Sequence, residues 1–433
     1  MHIRKEFYRY VLPSMLAFAL SGVYAIADGF FVGNALGDDA LAAINVAFPL
    51  TAFLQAVGTG IGMGGAVEYA ISMGSGDKDR CNRFFGVSLI ALFVSGLALT
   101  LVFWLFAPQV LSLFGATGSI HQLADEYIRY ISLGALFQVL GTGLVPFIRN
   151  MGGAVTAMVA MIVGFFANVF LDYLMVWVLP WGMMGAALAS VLGQAATFVV
   201  CAAFFVVKRQ KPRLPYKGEG GHLLKRIVGV GLSPFGLTYS PNITLILINK
   251  SAALVGGAAA VTYYAPVSYI CTIVVLLLQG VSDGSQPLLS LAHGQGEHEK
   301  VKQVRTLAFR LSFAMALASL VVLTLLRRQT AALFGASPEV IREVGRILPL
   351  FLVGYLFASV SRVITAYFYA THKNKLAYAL IYGEPVFLFL LLLCLPALLG
   401  ILGTWASVPL SQLLAMLLGL YLLVRSGGQP YRA

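Results

Sequence analysis

Twelve apolar runs, each long enough to cross about 30 Å of hydrocarbon, divide almost the whole of this 433-residue chain. They fall near 11–34, 43–70, 84–107, 128–149, 154–179, 183–207, 227–249, 261–281, 306–326, 347–370, 376–399 and 401–424. In lipid each run must satisfy its own backbone hydrogen bonds, which leaves a helix as the form that an isolated run of this length can take. Composition agrees. The chain is 59% hydrophobic and 11% charged, whereas a soluble domain carries about a quarter charged residues. The expected fold class is therefore all-α, a polytopic membrane protein of twelve transmembrane helices.

The formal net charge of +12 does not point to nucleic acid, because of where the cations lie. Lys78, Arg80 and Arg83; Arg149; the group from Lys208 to Arg226; Lys300, Lys302 and Arg305; Lys373 and Lys375; and Arg425 and Arg432 occupy alternate gaps, with Arg4, Lys5 and Arg9 before the first run. The other gaps keep only Lys250, Arg327, Arg328 and Arg342. This asymmetry predicts a multi-pass protein of the cytoplasmic membrane with both termini in the cytoplasm. The basic N-terminus leads into an apolar segment of spanning length without a small-residue cleavage site, so it reads as a retained first helix. Cys81, Cys201, Cys271 and Cys394 are dispersed and form neither a disulfide framework nor a metal motif.

The longest positive gap, KRQKPRLPYKGEGGHLLKR, mixes Pro, Gly and charge between the sixth and seventh runs. It reads as a linker, 208–226, between lobes 1–207 and 227–433. An internal repeat supports that division. SMGSGDKDR at Ser72 aligns with AHGQGEHEK at Ala292, LFGATGSIHQ at Leu113 with LFGASPEVIR at Leu333, and GMMGAALAS at Gly182 with GILGTWASV at Gly400. Six spans return the chain to its starting side, so the two pseudo-symmetric six-helix lobes are expected to be parallel repeats with a cavity near mid-membrane.

Polar residues inside the runs are few and therefore informative. Asn168 and Asp172 lie one helical turn apart in FFANVFLDYLMVW. An ionised Asp at the centre of a membrane helix costs about 2.5–3.5 kcal/mol on insertion scales, so it binds a cation, finds a partner or takes up a proton. Counting about 1.5 Å per residue from the ends of the runs puts Asp28, Asp172 and Ser190 about 10–12 Å below one surface. With Asn168 they make an oxygen-rich set suited to a hard cation, or to a shared proton. The structural alternative is local capping by Asp28 and a hydroxyl partner for Asp172. Pro13 is either a first-turn proline or, if the helix begins near Phe7, a residue that frees a carbonyl and permits a bend.

At these residues the chain resembles the multidrug and toxic compound extrusion (MATE) transporters, in particular their prokaryotic DinF-like branch. Pro13 and Asp28 with DGFFVGNALGDDALAA are similar to the family's proline-bent first helix and its aspartate. RNMGGAVTAMVAMIVGFFANVFLDYLMVW is similar to the fifth helix with its N-x-x-x-D pair, and GAALAS places Ser190 where the family often has threonine. GSGDKDR and SQPLLSLAHGQG resemble the paired loops after the second and eighth helices. The resemblance implies export of organic cations or other amphiphiles in exchange for Na⁺ or H⁺, small-molecule substrates, lipid as the surrounding partner, no nucleic acid, a monomer and no cofactor beyond the coupling ion. The seventh and tenth runs lack acids, so coupling is expected in the N-terminal half.

Arg362 and Glu384 fall at similar depth in neighbouring antiparallel runs, which predicts either an ion pair or a contact to substrate. Asp283 and Glu68 sit near run ends and read as structural or gating residues. Two other functions compete. A flippase of a lipid-linked precursor would need a markedly cationic cavity, but only Arg362, Arg149 and Arg310 lie near the spans. A membrane scaffold or sensor has no soluble signalling domain to support it. The chain holds no G-x-x-x-x-G-K-[ST] loop and no assembled nucleophile and base, so an enzyme or a primary pump is not expected.

Overall fold

The computed structural model describes the backbone of residues 2–113, 116–332 and 337–427, and the side chains of these except 2, 24–30, 38, 258 and 427. Among the described residues all regular structure is helical. The first six spans are α1 (His2–Leu36), α2 (Asp38–Gly74), α3 (Lys78–Leu113), the pair α4 (Gly118–Leu133) and α5 (Ala135–Asn150), α6 (Ala154–Asp172) continued by a π-helical segment (Tyr173–Val178), and α7 (Gly182–Val207). The last six are the two limbs of α8 (Gly220–Gly294), then α9 (His298–Leu325) with the short α10 (Arg327–Ala332), α11 (Pro338–Ala370), α12 (Asn374–Leu399) and α13 (Ile401–Gly427).

Nine helices among the described residues are long and apolar enough to cross a bilayer, and the α4–α5 pair, bent by 59°, makes a tenth. The two further spans are α1, whose middle is incompletely described, and the first limb of α8. That limb reads SPFGLTYSPN through its centre, so its hydropathy falls while its helix persists. The seventh and eighth runs are one helical path broken at Gly257, where φ is 67° and ψ −164°. The fourth run extends beyond its predicted 128–149, because the polar first turns of α4 are helical too. Pro13 lies well inside α1 and not in its first turn. Its ring removes the N–H that would bond the carbonyl of Arg9.

The internal repeat has a geometric counterpart. Left-handed backbone recurs at Gly37 and Gly257 (φ 88° and 67°), at Gly76 and Gly296 (83° and 73°), at Gly152 and His372 (86° and 60°), and at Gly182 and Gly400 (62° and 59°). The two halves end their helices at equivalent positions by the same device, a residue whose φ ordinary side chains avoid. The LFGA repeats lie largely outside the described residues.

The chain packs as two compact units. One comprises Met1–Met15, Ser240–Leu289 and Glu297–Ala433; the other comprises Leu16–Tyr239 and Ser290–Gly296. The chain passes between the units four times: just after Pro13 in α1, beside Pro241 in the first limb of α8, after Leu289 in its second limb and after Gly296. The stretch 208–226 lies wholly in the second unit, and its last residues, from Gly220 on, are already helical. Residues before them are strapped to the start of α3. Arg213 N donates to the Asn82 carbonyl at 3.0 Å, and Gln210 Nε2 donates to Asn82 Oδ1 at 2.8 Å. Asp79 accepts from Arg213 and from the Tyr216 hydroxyl, and pairs with Arg83 at 3.0 Å.

Small residues bring the helices of the second unit together. A Cβ on Gly62 would overlap the backbone of Gly143 in α5, and one on Gly64 the carbonyl of Ile227 in α8. The glycines of α2 are close-packing positions, as read from the sequence.

Candidate functional site: a buried carboxylate, amide and hydroxyl

The buried face of α6 is a single stripe, Ala154, Ala157, Ala160, Gly164, Asn168 and Asp172. Its spacing of three and four residues is that of one helix face. Four small residues let α7 approach, and the stripe then ends in two polar ones. On the opposite faces Val155, Val159, Val163, Phe166 and Phe170 are exposed, as expected of residues turned to lipid.

Asp172 is fully buried and Asn168 is 3% exposed. The Asn168 Nδ2 donates to Ser190 Oγ of α7 at 3.4 Å, while its Oδ1 is a buried acceptor with no hydrogen-bond partner. The structure thus brings Asn168, Asp172 and Ser190 to one place. The side chain of Asp28 lies outside the described residues. The helix that carries Asp28 reaches this region, since Phe31, one turn further along α1, packs edge-to-face on Trp177 with ring centroids 5.5 Å apart.

Two features of this site were not read from the sequence. The α-helix changes to a π-helical turn immediately after Asp172, a local widening that is frequent at functional sites. Nothing in FFANVFLDYLMVW signals it. The second is Gly193. A Cβ there would lie 2.7 Å from the Asn168 Cβ, so only glycine allows α7 to sit this close. Its signal was its place three residues after Ser190, on the same helix face.

In the other unit, Arg362 and Glu384 do not form the expected ion pair. The Arg362 Nη1 donates instead to Gln279 Oε1 at 2.7 Å, and Gln279 Nε2 donates to Asp283 Oδ1 at 2.6 Å. Gln279 of α8 presents a carbonyl oxygen that reaches the guanidinium first. Glu384 on α12 makes no ion pair with Arg362 among the described residues. Asp283, read as structural, is 2% exposed and orients this chain of contacts. Glu68 is likewise buried, at 2%, and is held by Arg226. Arg149 is 4% exposed with its guanidinium 5.8 Å from the Phe18 ring centroid.

Comparison with known proteins places this architecture. A MOP superfamily transporter from Pyrococcus furiosus, described as having a binding pocket of reversed polarity that suggests a different function, superimposes with a TM-score of 0.91 at 24% identity, covering 98% of this chain and 96% of that one. An outward-facing multidrug resistance MATE family transporter superimposes with a TM-score of 0.90 at 24% identity, over the same shares of the two chains. The fold is thus the twelve-helix, two-lobe membrane fold that these structures share.

The MatE family model matches residues 13–174 and 241–386, and the chain belongs to that family. It is accordingly a multi-pass membrane transporter and not an enzyme. The multidrug export protein MepA of Staphylococcus haemolyticus is 22% identical over 427 residues, 97% of this chain and 93% of that protein. MepA of Staphylococcus aureus strain MSSA476 is 23% identical over 429 residues, 97% of this chain and 94% of that protein.

Proposed function

We propose that the chain is a cation-coupled antiporter that exports organic cations and other amphiphilic molecules by alternating access, with Asp28, Asn168, Asp172 and Ser190 as the coupling site and Na⁺ or H⁺ as the coupling ion. The observation that carries this is the fully buried Asp172 carboxylate beside the open Oδ1 of Asn168 and the Ser190 hydroxyl. All the donors are oxygen, which suits Na⁺, and a buried carboxylate equally takes a proton. The multidrug export named for the MepA relatives supports the substrate class.

An ion drives transport only through its different affinity for the two conformations. Pro13 supplies a point of bending in α1, the helix that carries Asp28. The lobes 1–207 and 227–433 with the connection 208–226 are proposed as the functional halves, in a single chain set in the cytoplasmic membrane with both termini inside. Efflux from proteoliposomes with Na⁺ and H⁺ gradients imposed separately tests the reading. Asp172→Asn abolishes gradient-driven efflux; normal transport by that variant refutes the mechanism.

A further inference from the structure

Arg305 lies seven residues into α9, about 10 Å along the helix from its start, and is half-buried. Its guanidinium rests against the ring of Tyr367 on α11, with its carbon 4.8 Å from the ring centroid. No carboxylate pairs with it among the described residues. The same ring holds a second cation. The ammonium of Lys373, the residue that opens α12, is 5.4 Å from the Tyr367 centroid. It donates to the Tyr367 hydroxyl and to the carbonyl of Ser426 on α13, both at 3.4 Å. Two positive groups therefore meet at one buried ring, between the ends of α9, α11 and α13. Like charges so close repel, and an anion beside them reverses the sign.

The fold does not require cations at this place. At the offset that relates Ser72 to Ala292 and Gly152 to His372, Arg305 corresponds to Phe85, Tyr367 to Phe147 and Lys373 to Gly153. In the first half these positions pack as hydrocarbon. The rings of Phe85 and Phe147 meet edge-on with centroids 5.1 Å apart, and that of Phe205 lies 4.9 Å from Phe85. The second half keeps one ring and exchanges the phenyl against it for a guanidinium. A charge within a span is costly without a task, and the face of a tyrosine offsets only part of that cost.

The chemistry of the pair indicates what it recognises. Contact with a ring uses the charge of a guanidinium and leaves its N–H donors for an acceptor, in a fork that fits two oxygens of a phosphate. The ammonium adds a point charge. The charge asymmetry of the sequence assigns these helix ends to the cytoplasmic side, where the leaflet carries anionic lipid and basic pockets between helices bind phosphate headgroups.

We propose that Arg305 and Lys373, gathered at Tyr367, bind the phosphodiester of an anionic phospholipid and seat its headgroup between α9, α11 and α13. The site involves none of the coupling residues and goes beyond the export reading.

Native mass spectrometry of the full chain in detergent tests it by following the lipids bound as dioleoyl phosphatidylglycerol or dioleoyl phosphatidylcholine is added. No gradient or transported molecule enters the measurement. The parent is expected to bind its first phosphatidylglycerol about tenfold more tightly than phosphatidylcholine. Arg305→Gln lowers the affinity for that phosphatidylglycerol by about tenfold and leaves phosphatidylcholine within about twofold. Retained phosphatidylcholine binding shows that the variant is folded. Lys373→Gln weakens phosphatidylglycerol in the same direction, and Lys302→Gln, at an exposed cation of the same helix, changes neither lipid. Restoring the residues of the first half, Arg305→Phe with Tyr367→Phe and Lys373→Gly, abolishes the preference.

A parent that binds the two lipids equally, or an Arg305→Gln variant that keeps the preference, overturns the proposal. A loss as large in Lys302→Gln does so too, because the attraction then belongs to the whole basic face. Displacement of the lipid by equimolar inorganic phosphate also overturns it, since the site then takes a free anion. Failure of ion-driven efflux leaves the lipid result standing, so the two readings fail separately.

Discussion

Arg226, on the first limb of α8, closes on Glu68 of α2 with both arms of its fork, Nε to Oε1 at 3.1 Å and Nη2 to Oε2 at 2.8 Å. Phe84 of α3 packs on the same guanidinium, 5.7 Å from its carbon. Glu68 is buried while Arg226 is 30% exposed, so the acid is the partner that suffers when the pair is broken. Arg226→Met is expected to destabilise the protein by about 1–3 kcal/mol, the usual scale for losing a hydrogen-bonded charged partner of a buried acid. Glu68→Gln combined with it recovers part of the loss. Thermal unfolding followed by intrinsic fluorescence in detergent checks both, and a double variant as unstable as the sum of the singles argues against direct coupling of the two residues.

Gly193 offers a way to disturb the coupling site without touching an acid. A methyl group there collides with Asn168 and pushes α6 from α7, lengthening the Asn168 to Ser190 contact, already at 3.4 Å. Gly193→Ala is expected to reduce ion-driven efflux at least tenfold, on the scale of about 1.4 kcal/mol per decade, while substrate binding measured without a gradient changes little. Efflux equal to the parent's places Asn168 outside the coupling machinery.

The segment before α8 is a strap and not a free tether, and Asp79 is its hub. Asp79→Ala removes the contacts to Arg213, Tyr216 and Arg83 at once. The expected result is faster tryptic cleavage at Arg213 and Lys217, with little change in overall stability, since solvent screens ion pairs at an exposed acid. Raising salt should speed cleavage of the parent towards the rate of the variant, because screening weakens the same contacts. Unchanged cleavage in Asp79→Ala means that the backbone bond from Arg213 to Asn82 and the Gln210 contact hold the segment unaided.

What the sequence made legible follows from how strongly each feature is written in local pattern. Runs of twenty apolar residues and the 220-residue repeat are redundant signals, so the spans and the repeat were recoverable. Asn168 and Asp172 were readable as neighbours because both lie on one helix, four residues apart. The partner of Arg362 was not, since Gln279 and Glu384 compete for it at similar depth and the winner depends on side-chain reach across helices. The bend at Gly134 and the π turn after Asp172 each come from packing around a backbone whose sequence is compatible with a plain helix. The linker shows the same limit: Pro, Gly and charge describe a loop, and cannot say that Asp79 and Asn82 will hold it.

Glycine serves this fold in two separable ways, and single substitutions distinguish them. At Gly76 φ is 83° and a Cβ would meet nothing within 4 Å, so Gly76→Ala changes only the cost of a left-handed backbone. That cost is about 1–2 kcal/mol. At Gly62 the obstruction is the backbone of Gly143, which cannot swing aside as a side chain would. Gly62→Ala must separate α2 from α5 along a shared apolar face, and overpacking of this kind costs about 1–3 kcal/mol or more. The two variants should also differ in character. Gly76→Ala is expected to keep full transport at a slightly lower unfolding temperature, since the strain sits in a turn. Gly62→Ala is expected to lose expression and efflux together, because the helix it displaces packs beside α7 and the Asn168 site. Equal behaviour of the two, measured by fluorescence-detected size exclusion and vesicle efflux, contradicts the close packing of α2 on α5.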